Sequence, residues 1–553
     1  MSATKVSRGI FGWALDRLAG WSLSLPPETN SYTIEAVRIP LGNGLHLLAD
    51  LYCPADVEPS GTVLSIGPYG RSGLMALGTV RLFACRGYCG LLVSVRGTFG
   101  SEGVFDAGET NAVDNQAIVA WMRQQSWYTG SFAMVGGSYL GLTQWAMLED
   151  QPDDMAAAII SVGPHDLSQY VWGRGSLNLD LLVWAELIAN QEDSSMLYAQ
   201  WRLKSARERL KKLSMTIPLA DAADRHFAGK TPWLRNRITR SDVHDIFWAT
   251  MQHGRAVKRA NLPILLITGW QDVFLEQTLE QYHELRSRNV DVSMTIGPWN
   301  HGTVNNGSLM AESFQYLEQH LAKRSNVLRQ SPVRFYVNGV EEWRELSSWP
   351  PETHAKEVYL HPHNRLAFGE KPNALGGEST FTFNPDEPTP AIGGPRLADT
   401  GVYIDTVFEE RPDALIFTTD ALKESVEVIG SCSVELSHTS DNPNADLFIR
   451  LSDVDERGVS RYITETYQRL NPQRGSDMGQ VQLFLPDCAH RFKEGHAIRL
   501  IIAGGNFPHY AVNLGTGATD PADSTTRPAT HTIRHAEGQS SRLTLLVAQR
   551  RQV

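Results

Sequence analysis

A mixed α/β body, interrupted by a helical insertion and followed by an all-β domain, is the fold class that the sequence predicts. Three observations carry it. Near the N-terminus, short apolar runs closed by Gly or Pro alternate with helical patterns; further on the strand signals fade; in the last third many short strands are separated by turn residues. A chain of 553 residues is also too long for one compact core.

The elements follow in order. "KVSRGIFGWALDRLAGWSLSLPPE" puts basic residues ahead of an apolar run, but Asp16 and Arg17 interrupt that run and no small-residue cleavage site follows. It predicts an amphipathic helix docked on the protein body rather than on a membrane. No segment has the apolar length of a membrane span. "HLLADLYCP", "GTVLSIGPYG", "GLLVSV" and "FAMVGG" predict strands, and "GETNAVDNQAIVAWMRQQSW" predicts a helix between the last two. Such alternation implies a mostly parallel sheet with helices on both faces. "LNLDLLVWAELIAN", "SSMLYAQWRLKSARERLKKL" and "IPLADAADRHF" predict a helical insertion over residues 148–247. "LPILLITGW", "LEQTLEQYHELRSR" and "VDVSMTIGPW" then resume the body, which occupies residues 1–147 and 248–352. From "KEVYLHP" through "ADLFIRLSDV" to "AIRLIIAG", residues 353–553 predict an antiparallel sandwich.

Composition narrows the partners. The chain is 42% apolar and 20% charged, as in soluble globular proteins, and its net charge of −11 argues against nucleic acid. Cys53, Cys85, Cys89, Cys432 and Cys488 are odd in number and match no metal or redox spacing, so buried free thiols and a cytoplasmic location are expected. "DVDERG" starts like a calcium loop, but Arg457 and Thr464 stand where acids are required, so a turn is expected. The basic run "RLKSARERLKKL" reads as a solvated helix face. No cofactor or metal is implied.

The chemistry centres on "FAMVGGSYLGLTQWAML", where Ser138 sits between a strand and a helix. It is either a turn residue or a nucleophile. The G-x-S-x-G pattern wants Gly where Leu140 stands; Gly141 comes one later. Asp272 follows the strand "LLITGW" and His301 follows "MTIGPW". Singly, these are a helix cap and a loop histidine. Together, serine, acid and histidine beyond three strand ends are the α/β-hydrolase order, because parallel strands end along one sheet edge. His301 would take the Ser138 proton and Asp272 would hold the imidazole.

Carrying these residues, the chain resembles the CocE/NonD hydrolases, the cocaine esterase-like branch of the X-Pro dipeptidyl-peptidase (S15) superfamily. The motifs are "GLHLLADLYCP", "GPYG", "VRGTFGSEGVFD", "GGSYLGLTQW", "GWQDVF" and "GPWNHG", with "SDNPNADLFIRLSDVD" and "GGNFPHYAVNLGTG" in the last third. The resemblance implies an α/β-hydrolase body, a helical cap and a C-terminal jelly roll. It accounts for Gly141 as the family's second motif glycine. It implies an oxyanion hole from the Tyr69 hydroxyl and the Tyr139 N–H, and an acyl pocket walled by Trp172, Trp184 and Phe274. Members specific for amino acids carry an acidic pair where Phe274 and Leu275 stand here, which argues against an ammonium-bearing substrate. Ser94, Thr98 and Phe99 depart from the family pattern near the oxyanion loop. The expected activity is serine-dependent cleavage of small-molecule carboxylic esters with apolar or aromatic acyl groups. An amide-cleaving acylase or X-Pro dipeptidyl-peptidase-like enzyme is the alternative, and a non-catalytic protein binding through its jelly roll is another. Oligomeric state stays open, a homodimer being one option.

Overall fold

The computed structural model describes residues 5–549, apart from 43, 193–208, 305–306, 325–328, 374–375, 398–403, 475–478 and 519–523. Its body is an 11-stranded sheet. The strands are β1 (Val6–Ser7), β2 (Tyr32–Pro40), β3 (His46–Pro54), β4 (Thr62–Gly67), β5 (Cys89–Ser94), β6 (Phe132–Gly137), β7 (Met155–Ser161), β8 (Ile264–Gln271), β9 (Val292–Asn300), β10 (Val333–Val337) and β11 (Glu342–Leu346). Their order is β1-β2-β3-β5-β4-β6-β7-β8-β9-β10-β11. From β5 to β10 every neighbour is parallel; the flanking pairs are antiparallel.

Continuous apolar runs make the central strands β4, β5, β6 and β8 because both sheet faces are covered there. Leu64, Leu91, Met134 and Leu266 point into one core, while Val63, Leu92, Ala133 and Leu265 point into the other. Period-two alternation therefore distributes apolar side chains to both faces instead of alternating apolar with polar. The C-terminal part is a second, largely antiparallel β assembly running from Thr353–His361 to Arg542–Ala548. Its core includes Phe417, Val434, Leu447 and Leu500.

Three expectations are corrected. The predicted insertion began at residue 148, yet β7 is a parallel strand of the central sheet, bonded to β6 and β8. Its "MAAAIIS" is Ala-rich, and only burial on both faces makes a strand of it. The cysteines are not all free thiols. Cys53 and Cys89 form a disulfide, next to the Tyr52–Gly90 pair in the antiparallel β3–β5 ladder; Cys85, Cys432 and Cys488 are free and buried. That bond withdraws the support that scattered cysteines gave to a reducing compartment. Third, the helix Ile10–Ser22 does dock on the body, but not by its apolar side. Buried Asp16 pairs with Arg8 and Arg81 and accepts from the Tyr32 hydroxyl, while Phe11 (94% exposed) and Trp21 (80%) face outward.

The insertion carries the helices Leu167–Trp172, Asp180–Asn190, Leu219–Phe227 and Leu234–Thr239. The expected helix over "SSMLYAQWRLKSARERLKKL" lies largely outside the described residues. "DVDERG" ends the strand Asp446–Val454 and forms the turn to Ser460–Arg469, closed by Arg457 and Val459 N–H groups on the Asp455 carboxylate. Among the described residues, no helix is long and apolar enough to cross a membrane.

Candidate active site

Ser138 stands between β6 and the helix Tyr139–Met147 with φ 58° and ψ −122°. A non-glycine residue rarely adopts a positive φ, and here it marks a forced strand-to-helix turn. The glycines around it permit close approach. A Cβ on Gly141 would lie 2.5 Å from the Gly163 Cα, and one on Gly136 would lie 2.4 Å from the Leu140 Cβ. The helix can start this tightly only if those positions are bare. Gly141 is thus a packing requirement, which the spacing from Ser138 alone did not reveal.

The edge of the sheet brings three distant residues together. The His301 Nε2 lies 2.9 Å from the Ser138 Oγ, and its Nδ1 lies 2.7 Å from the Asp272 Oδ2. Because a carboxylate only accepts, Nδ1 carries the proton toward Asp272, leaving Nε2 to accept from the serine hydroxyl. Asp272 is buried, and its other oxygen accepts the Phe274 N–H at 2.8 Å. This bond fixes the carboxylate at the start of the helix Leu275–Ser287. The helix's N-cap is Phe274, without a side-chain cap bond, so Asp272 closes the turn ahead of the helix and meets His301 rather than capping the helix. The Phe274 ring packs edge-on against the His301 ring, centroids 5.4 Å apart.

Tyr69 lies just past β4, the neighbour of β6. Its hydroxyl accepts the Trp184 Nε1–H at 3.1 Å and also interacts with Ser138. Burial pushes the Tyr69 phenol up to about 12, while the bonds to Trp184 and Ser138 pull the other way. The phenol therefore stays protonated, a donor across the working pH range. The loop is tied to the insertion by Gln191, whose amide donates to the Pro68 carbonyl at 2.8 Å. Tyr139 begins its helix, so its N–H is one that a helix leaves without an intrahelical partner. Ser94, where the family pattern differs, accepts from Arg71 at 2.7 Å and so helps hold the same loop.

A cavity of about 50 Å³ opens on Ser138, walled by Tyr69, Leu142, Tyr170, Leu181, Trp184 and Phe274. Of the expected wall residues, Trp184 and Phe274 are there. Trp172 is not: it is buried in the insertion, its indole N–H on the Arg237 carbonyl at 2.8 Å. The sequence reading missed Tyr170, which tilts over Phe274 at 4.8 Å. The "YVWGRG" motif held the signal, because residues two apart on a helix point to nearly opposite sides. Only one of Tyr170 and Trp172 could face the cavity. Arg237 was missed as well. Burial lowers its pKa to about 10, so it remains a cation, held by the Ala107 carbonyl and the faces of Trp233 and Trp248.

On the far side of Tyr170 lies a larger, polar cavity of about 440 Å³, between the insertion, the Asp272 loop and the C-terminal part. Its charges are mostly paired. Arg174 binds Glu276 through both carboxylate oxygens, and Asp166 caps the helix Leu167–Trp172.

Two consecutive family models match this chain: X-Pro dipeptidyl-peptidase (S15 family) over residues 43–303, and the X-Pro dipeptidyl-peptidase C-terminal non-catalytic domain over residues 325–544. The chain belongs to the S15 family. Within that family it resembles the cocaine esterase of Rhodococcus sp. (strain MB1 Bresler), 26% identical over 87% of this chain and 92% of the relative. Among solved structures, an α-amino acid ester hydrolase superposes with a TM-score of 0.79 at 21% identity, covering 95% of this chain and 98% of the other. An aminopeptidase from a marine sediment archaeon, Thaumarchaeota archaeon, superposes at 0.78 and 20% identity, with coverage of 95% and 98%. The S15 chain is thus a hydrolase of the CocE/NonD type, with the body, helical insert and C-terminal β part of its relatives.

Proposed function

We propose that this protein is a serine esterase that works through an acyl-enzyme. The observation that carries the reading is the unbroken hydrogen-bond path Ser138–His301–Asp272 beyond the ends of β6, β8 and β9. Ser138 Oγ attacks the ester carbonyl as His301 Nε2 takes its proton, and Asp272 stabilises the imidazolium. The oxygen that becomes negative is met by the Tyr69 hydroxyl and the Tyr139 N–H. Collapse of the tetrahedral intermediate expels the alcohol, which takes the proton back from His301. Water, activated by the same histidine, then releases the acid and restores the Ser138 hydroxyl.

The walls of the small cavity favour an apolar or aromatic acyl group. Phe274 and Leu275 offer no charge to an acyl ammonium, and the next acid, Glu276, is already engaged by Arg174. A buried ammonium there would go uncompensated. The test is stopped-flow release of p-nitrophenol from acetate, butyrate and benzoate esters by wild type and Ser138→Ala. A burst in the wild type, absent from the variant, is expected. Turnover of a matched anilide as fast as its ester would move the reading to an amidase. No release above the variant's rate would end it.

A further inference from the structure

Trp184 differs from the other cavity walls in what its nitrogen does. Its indole N–H donates to the Tyr69 hydroxyl oxygen at 3.1 Å. Its ring lines the cavity and is also held by protein on its other sides. It stacks on Tyr139 with centroids 5.9 Å apart and an interplanar angle of 20°, tilts against Trp233 at 4.8 Å, and meets Phe105 at 6.0 Å. Tyr139 is itself fixed, its hydroxyl donating to the Asn111 Oδ1 at 3.3 Å.

We propose that Trp184 is a positioning residue for the oxyanion donor: by occupying one acceptor site of the Tyr69 hydroxyl, its N–H turns the Tyr69 O–H toward the carbonyl oxygen of an ester bound at Ser138. This rests on the reading of Tyr69 as an oxyanion donor. A phenol O–H has two in-plane orientations, and a donor on one side leaves only the other for its own proton. The same bond polarises the hydroxyl and strengthens it as a donor. The arrangement also couples the two donors. The Tyr139 backbone supplies one N–H, and the Tyr139 ring carries the tryptophan that aims the other. Preorganisation of this kind matters because the donor need not reorient while charge develops.

A wall and a positioning residue fail differently when removed. A wall acts on the acyl group, so its loss grows with acyl bulk and is read in KM. A residue acting through Tyr69 lowers kcat by one factor for every acyl group, and does nothing once Tyr69 has no hydroxyl. The test is a double-mutant cycle of Trp184→Phe and Tyr69→Phe, with p-nitrophenyl acetate and benzoate as substrates. The expected result is a loss in kcat of about tenfold from Trp184→Phe, equal for both esters, with KM moving less than about twofold. That loss is a fraction of the ~10²–10³ carried by a whole donor. In the Tyr69→Phe background, Trp184→Phe should cost less than about twofold. Trp184→His keeps a ring N–H and should recover part of kcat; it also serves if Trp184→Phe fails to fold. A loss that rises from acetate to benzoate, or that persists in full without the Tyr69 hydroxyl, would overturn the proposal while leaving the esterase reading intact. Wild type inert toward both esters would overturn the two together.

Discussion

Tyr170 separates two cavities that differ in almost every respect. On one side lie about 50 Å³ lined mostly by aromatic and aliphatic side chains and by Arg237, with Ser138 at the wall. On the other lie about 440 Å³ lined by carboxylates, Arg174, histidines and tyrosines. The large cavity has more charge, yet its Arg174 is engaged by Glu276, and its Glu465 by Arg450 and Asn506 outside the lining. The small cavity has one charged wall residue, Arg237, held by the Ala107 carbonyl and two tryptophan faces, and Ser138 and Tyr139 also line it. An apolar wall lowers the local dielectric, so a dipole there counts for more, which is what the proposed acyl transfer at Ser138 would use. Cavity size and polarity alone would have pointed to the other side.

Several changes would break or sharpen this contrast. The largest effect is expected from Tyr69→Phe, which removes the proposed oxyanion donor from the small cavity and should lower kcat by ~10²–10³ with the fold intact. Steady-state kinetics with a thermal melt check it.

Next comes a pH effect from the polar side. Burial, and secondarily nearby His253, lowers the His165 pKa from 6.5 to about 4. Above pH 6.5 both folded and unfolded chains keep it neutral and it contributes nothing. As pH falls from 6.5 toward 4, only the unfolded chain takes up the proton, so stability falls by up to about 3 kcal/mol. Urea unfolding of His165→Gln should show a shallower loss over that window than wild type; equal slopes would contradict this.

Phe274→Leu should cost up to about tenfold of any preference for benzoate over acetate, since an aromatic pair adds ~0.5–1.5 kcal/mol beyond area burial. The ratio of kcat/KM for the two esters measures it. Smallest of all, Glu276→Gln should change ester kcat/KM by less than about twofold. The pair with Arg174 is half-exposed on the carboxylate side and lies in the cavity away from Ser138. A large loss there would mean that substrate uses the polar cavity after all.

The three residues of the candidate triad were legible because their signals are local. A glycine-flanked serine, an acid and a histidine each closed a strand, and parallel strands must end on one edge. The orientation of the insertion was not legible. Whether Tyr170 or Trp172 faces Ser138 depends on how one helix docks, and both are aromatic. β7 was missed because Ala-rich sequence carries no strand propensity until two covered faces impose it. The Cys53–Cys89 bond was hidden because it depends on the register of β3 against β5, which sequence spacing does not encode. The helix Ile10–Ser22 shows the same limit in reverse. Its amphipathic pattern is plain in the sequence, but Asp16, which interrupts the apolar run, is what anchors it.

The central claim is that Ser138 carries the acyl group, and it can be read directly. Wild type would be acid-quenched during turnover of p-nitrophenyl benzoate, digested, and its peptides analysed by mass spectrometry. The account predicts a benzoyl group on the peptide containing Ser138, fragmenting to that residue and absent from Ser138→Ala. A benzoyl group on another residue, or turnover equal in Ser138→Ala, would contradict it.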